Sequence, residues 1–251
     1  PEVVLRLLTV GPTSFQVYVD VPNHVGTGGG AACGTTRHEQ VSFSWAVVEA
    51  GRFDDTLEAG THNSTANFTW STVGFSAPLP GATVITQVQS HHDNDWVKTR
   101  QANITAASCQ VKLEEAGVDA THAWETIGWL AVARGVNHLY GKKFEAASAA
   151  VDSTSAGTAI AFTGGFASAP AVFGSIVSYN DSDEVHLRQA AGTAPSASQV
   201  TLFLEEEQCG DTEVMHAAEE VHLIAIGTKQ TGTACSSPAM GFNVVCQGDA
   251  H

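Results

Sequence analysis

His122 with Glu125, and His216 with Glu219, form two H-x-x-E patterns, the most chemically suggestive spacing in the chain. A histidine and a carboxylate can ligate a metal or move a proton together. On a strand, however, residues three apart project to opposite faces, which makes them poor joint ligands. At a third site, headed by His38, Val41 stands where the glutamate should be. The expected role is structural: the histidine makes a hydrogen bond where a strand begins, and the glutamate pairs with an arginine such as Arg100 or Arg188 beside the core. A second cluster, His91-His92-Asp93-Asn94-Asp95, recurs in part as Asp181-x-Asp183. Oxygen-rich turns can hold calcium, so Asp93, Asp95, Asp181 and Asp183 are candidate calcium ligands, although Asp and Asn also populate turns through local hydrogen bonds alone. No other cofactor is suggested. Trp96, beside these acids, is the candidate sugar-stacking ring, because an indole face in a polar loop suits a pyranose; Glu184 replaces it in the later cluster.

Other chemistry fails on context. Gly26-Thr27-Gly28-Gly29-Gly30 lacks the Gly-Lys-Ser/Thr of a phosphate loop, so it reads as a flexible loop. Glu114-Glu115 and Glu205-Glu206-Glu207 invite comparison with glycosidase carboxylates, but they recur at strand ends, where solvated acids are ordinary. No G-x-S-x-G is present. With no complete active site, the chain reads as a structural or binding protein and not an enzyme.

The elements that must position these residues repeat. Thr36–Gly51, Thr121–Gly135 and Met215–Gly227 align so that His38, His122 and His216 coincide. The same alignment stacks Phe43 on Ile127 and Val221, Trp45 on Trp129 and Leu223, and Val47 on Ala131 and Ala225. Apolar residues at every second position mark a strand with one buried face. Upstream, Arg6, Arg100 and Arg188 coincide, as do the strands beginning at Phe15, Cys109 and Val200. The second and third copies share an earlier half, which Phe53 and Phe144 open; it continues through Phe68-Thr69-Trp70 or Ile160-Ala161-Phe162 to Val84–Val88 or Val172–Ile176.

The expected fold is all-β, made of tandem six-stranded antiparallel β-sandwich repeats with the first incomplete. The expected divisions are 1–51 (second half of a sandwich), 52–135 and 136–229 (complete sandwiches), and 230–251 (a tail). Half a sandwich exposes an apolar face and unpaired edges. The chain's own tail, through Phe242-Asn243-Val244-Val245, could supply the missing strands. So could the tail of a neighbouring molecule, or residues upstream of Pro1. The neighbour is the expected source; such a contact does not close on itself and propagates into a filament.

Bulk properties set the surroundings. Twenty-six acids against 11 Lys plus Arg give a formal charge of −15, which opposes nucleic acid and anionic lipid. No apolar run is long enough to span a bilayer. The chain starts at Pro1 without a signal peptide, as a processed product would. Sequons at Asn63, Asn67, Asn103 and Asn180 point to a secreted, extracellular glycoprotein. Of the five cysteines, Cys235 and Cys246 bracket the tail as an expected disulfide, which leaves Cys33, Cys109 and Cys209 with at least one unpaired within the chain.

The run Gly11-Pro12-Thr13-Ser14-Phe15-Gln16-Val17, with Val41-Ser42-Phe43-Ser44-Trp45-Ala46-Val47-Val48-Glu49, resembles the second half of the H-type lectin domain of snail agglutinins. Phe162-Thr163 through Pro170-Ala171-Val172 resembles its earlier half. The resemblance implies a six-stranded sandwich that oligomerises and binds N-acetylgalactosamine-type sugars; loop differences prevent transfer of individual sugar contacts. Two functions follow as expectations. One is an extracellular structural glycoprotein that joins copies of itself head-to-tail through strand complementation of the first repeat. The other is a multivalent lectin-like protein with glycan partners.

Overall fold

The computed structural model describes residues 4–20, 43–66, 68–93, 95–115, 121–181, 183–206, 214–228 and 242–243. Among these the protein is all-β, with every ladder antiparallel. Copy one supplies β1 (Val4–Val10), β2 (Phe15–Asp20) and β3 (Val47–Val48). Copy two supplies β4 (Gly51–Phe53), β5 (Leu57–Asn63), β6 (Ser71–Gly74), β7 (Thr83–Val88), β8 (Val97–Ala102), β9 (Ser108–Glu115) and β10 (Thr126–Val132). Copy three supplies β11 (Gly135–Leu139), β12 (Lys142–Val151), β13 (Thr158–Ala161), β14 (Ala171–Ile176), β15 (Val185–Gln189), β16 (Gln199–Glu206) and β17 (Glu219–Thr228). A last strand, β18 (Phe242–Asn243), pairs with β3.

Copies two and three have the same strand order: β4-β5-β10-β7 over β6-β9-β8, and β11-β12-β17-β14 over β13-β16-β15. Each pair of sheets closes on its own apolar core. Val84, Ile127 and Ala131 meet Val97, Val111 and Leu113 in copy two. Val221, Leu223 and Ala225 meet Val185, Val200 and Leu204 in copy three.

Among the described residues each complete sandwich has seven strands, one more than the six expected. The extra strand is the short hairpin arm β4 or β11, reached through Gly51 (φ 143°) or Gly135 (φ 107°). An L side chain rarely adopts these angles, so glycine allows the chain to turn sharply from one copy's last strand into the next copy's hairpin. The pairings also correct one alignment. Gly51 pairs with Ala59 and Gly135 with Ala146, so the counterpart of Phe144 is Leu57. Phe53 lies on the preceding arm and meets Tyr140 edge-on at 6.4 Å.

The last strands are buried on both faces, and not on one as their alternation suggested. Odd positions of β10 face copy two's core, while Leu130 and Val132 face a second cluster. That cluster gathers Leu57 and Val132 of copy two, Phe144, Ile224 and Ile226 of copy three, and Ala46 and Val48 of copy one. The three copies are therefore packed around shared apolar side chains. Cys109 lies in copy two's core as a buried free thiol, with burial raising its pKa to about 12. Cys33, Cys209, the Cys235–Cys246 pair, Val41 and the Asn67 sequon fall outside the described residues.

Candidate functional site

The functional geometry is concentrated at the seams between copies, where an arginine of one copy enters the next. Arg6, on β1, is fully buried. Its guanidinium donates to the Ser90 carbonyl at 3.3 Å, the Asp95 carbonyl at 2.8 Å and the Asp93 carbonyl at 3.3 Å. It also forms a charge-assisted hydrogen bond to the Glu125 carboxylate, which is itself fully buried. The Glu125 side chain accepts further hydrogen bonds from the Ser90 hydroxyl and, at 3.0 Å, from the His92 amide. The Asp93 carboxylate accepts from the Ala123 amide at 3.2 Å and fixes the approach to β10.

The seam between copies two and three is built alike. Arg100, on β8, donates to the Ser178 carbonyl at 3.0 Å and lies 3.4 Å from Glu219. Glu219 accepts from the Ser178 hydroxyl and from the Asn180 amide at 3.0 Å. The Asp181 carboxylate accepts from the Ala217 amide at 3.2 Å. Arg100 has a second acid, Glu114 of its own copy, at 3.4 Å. Buried ions need this kind of local satisfaction, because low-dielectric surroundings penalise a lone charge by several kcal/mol.

The H-x-x-E glutamates thus do pair with arginines, but each arginine belongs to the preceding copy. Arg188 differs from both: it pairs with Glu205 of its own copy at 2.8 Å, with the two side chains 33% and 30% exposed. It lines a cavity of about 490 Å³ shared with Leu5 and Phe43 of copy one and Arg100 of copy two. The histidines serve as seam supports. His216 sits 3.2 Å from Glu219 and 3.4 Å from Glu206, and His122 lies 2.6 Å from the Ala123 carbonyl. Sequence reasoning missed the offset between copies. The available signal was the arithmetic of the pattern: an arginine in every copy, but a glutamate only in the two that follow another copy.

Further contacts reinforce the second seam. The Val84 amide donates to His222 Nδ1 at 3.0 Å, and the Lys98 ammonium donates to the Val185 carbonyl at 2.9 Å. Burial, aided by Arg134, lowers the His222 pKa to about 4; an uncharged ring is also what Nδ1 needs to accept a hydrogen bond. Burial lowers Lys98, against the opposing pull of Glu114. Burial and then Arg188 take His186 down to about 3.

Trp96 corrects an expectation. It is 1% exposed and meets the His186 ring of copy three edge-on at 5.0 Å, so its face is unavailable to a sugar. The aromatics that remain open are elsewhere. Tyr179 and Trp70 are half-exposed and flank Lys112, whose ammonium stands 4.5 Å and 5.3 Å from the two ring centroids. Trp124 is 46% exposed, with His92 against its ring at 4.1 Å.

The calcium expectation finds little geometry. Asp93 and Asp181 are engaged as turn acceptors, Asp95 contributes its carbonyl to Arg6, and Asp183 is exposed. Among the described residues no group of three or more His, Cys, Asp or Glu is placed to hold a metal. Asn63, Asn103 and Asn180 are exposed; the Asn103 and Asn180 side-chain amides bond to Gln110 and to the Ala218 carbonyl.

With this geometry in view, comparison with known proteins is informative in one place. The chain is 28% identical over 138 residues to a protein named Halomucin from Haloquadratum walsbyi. The match covers 52% of this chain and spans about 1% of the length of that relative. No family model matches the chain, and no solved structure does. No helix long and apolar enough to cross a membrane occurs among the described residues.

Proposed function

We propose that the chain is a structural module of an extracellular glycoprotein, in which three sandwich copies form one block and blocks join head-to-tail by strand complementation at copy one. The observation behind this reading is that copy one accepts a strand from beyond copy three: within the chain itself, Phe242 pairs with Val48 and Asn243 with Val47. A strand that reaches copy one from beyond copy three joins molecules when the acceptor belongs to a neighbour, and such a heterologous contact propagates. The buried arginines support the structural reading. A buried group of titratable side chains, Arg100, Glu114, His216 and Glu219, is shut inside a seam and ties copies together. The extracellular setting is supported by sequons on exposed asparagines and by the partial likeness to the protein named Halomucin.

Negative-stain microscopy of the purified chain, with a variant lacking residues 230–251, tests the proposal. Fibres from the intact chain and none from the variant are expected. Uniform single particles from the intact chain at high concentration would contradict it.

A glycan-binding reading has a specific observation in its favour: Tyr179 and Trp70 are partly exposed around Lys112 on one seam, with Arg100 also over the Tyr179 ring, so a sugar would have to displace a cation from a ring face. Such faces stack on sugar rings, and several weak sites gain through multivalency. A glycan array probed with the chain and with Tyr179→Ala tests it; binding that the substitution abolishes supports the reading, and silence from both removes it.

A further inference from the structure

Alongside copy one's segment 43–48, which ends in β3, runs a mainly apolar groove of about 340 Å³, walled by Phe15 and Trp45 of copy one and by Ile85 and Leu130 of copy two. In the complete sandwiches the last strand is flanked by the first strand on one side and the third on the other. Leu57 of the first strand pairs with Val132, and Phe144 with Ile226. Val48 is the counterpart of Val132 and Ile226, and its partner is Phe242. Third strands put Thr83 and Ala171 opposite those same positions, so a large apolar side chain marks the first-strand place. Chain order agrees, because after each last strand the chain lays down the next copy's first strand. Leu57 follows Val48, Phe144 follows Val132, and Phe242 follows Ile226.

The neighbouring position carries an independent signal. Glu58 and Glu145 follow Leu57 and Phe144, and each accepts from amides just beyond the second strand: Ser76 at 2.9 Å, or Thr163 together with Gly164 at 3.3 Å. Copy one shows no second strand among the described residues, and a carboxylate deprived of those donors would be costly to bury. The tail has neutral Asn243 there.

We infer that Phe242–Asn243 is the first strand of copy one, which docks along this groove in the register that sets Phe242 opposite Val48, as Leu57 stands opposite Val132 and Phe144 opposite Ile226. The inference deepens the strand-complementation proposal and holds whether the strand comes from the same chain or from a neighbour. Its test pairs Val48→Cys with Phe242→Cys, against a control with Ala46→Cys and Phe242→Cys, and locates the disulfide by peptide mass spectrometry. A bond at 48–242 and none at 46–242 is expected; equal bonding in both, or bonding at 46 alone, overturns the inference. In mixtures of isotope-labelled and unlabelled chains, an exclusively intrachain bond would defeat head-to-tail joining while leaving the strand assignment intact. Hydrogen exchange covers the case in which cysteine at 242 prevents docking. Slow exchange at 47–48 should survive Phe242→Leu, the copy-two residue, and accelerate about tenfold or more in Phe242→Thr. Fast exchange in the unmodified chain, or equal behaviour of the two variants, overturns the assignment.

Discussion

Arg6 and Arg188 occupy the same position in two copies of one sandwich, yet their surroundings are opposite. Arg6 is closed inside the next copy, with three carbonyls and Glu125 around its guanidinium. Arg188 remains one-third exposed and turns to Glu205 within its own copy. The side chain is identical, so the difference lies in what the adjoining copy presents. A buried guanidinium bonded to another copy holds the two copies together; a partly exposed pair within one copy makes no such tie and is partly screened by solvent.

Substitution should break this contrast most visibly at the buried end. Glu125→Gln leaves Arg6 buried without that countercharge and is expected to cost about 3–5 kcal/mol in chemical denaturation. Glu219→Gln should cost less, because Glu114 also lies 3.4 Å from Arg100. Glu205→Gln, at the partly exposed pair, should cost the least of the three, about 1 kcal/mol. Equal losses at Glu125 and Glu205 would show that burial does not distinguish the sites.

A comparison of tryptophans sharpens the same point. Trp96→Ala empties a site sealed by another copy and should cost about 3–5 kcal/mol. Trp124→Ala, at a half-exposed ring, should change thermal stability by about 0.5 kcal/mol or less.

The pH dependence is a subtler probe of the seam between copies two and three. His186 and His222 are held neutral, with pKa values lowered to about 3 and about 4. The unfolded chain, with imidazoles near about 6.5, binds these protons first as pH falls. Their contribution is therefore complete above about pH 6.5 and is lost as pH falls from there towards the folded values. Denaturation midpoints measured from neutral to acid pH should drop over that range, and His186→Phe should flatten the slope. An unchanged slope would mean that His186 titrates normally in the folded chain.

The sequence allowed the strands and the correspondence of copies to be read because each copy repeats its core-facing positions: Ile127, Trp129 and Ala131 match Val221, Leu223 and Ala225. Burial of the opposite face of β10 was harder to see. Gly128 dilutes the run on that face, and several of the residues that cover Leu130 and Val132, such as Phe144 and Ile226, lie in another copy. Phe53 was misplaced because an aromatic appeared a better match for Phe144 than Leu57 did, while only hairpin pairing sets the register. Trp96 looked exposed among acids because His186, which covers it, is remote in sequence. The H-x-x-E pattern correctly suggested an ion pair, and the identity of the arginine depended on packing between copies.

The most direct test of the claim that arginines tie successive copies together is a double-mutant cycle on Arg6→Met and Glu125→Gln, read by equilibrium unfolding. A coupling of about 2–3 kcal/mol is predicted, with the double variant more stable than the sum of the single losses implies. Additive losses, within about 0.5 kcal/mol, would contradict it.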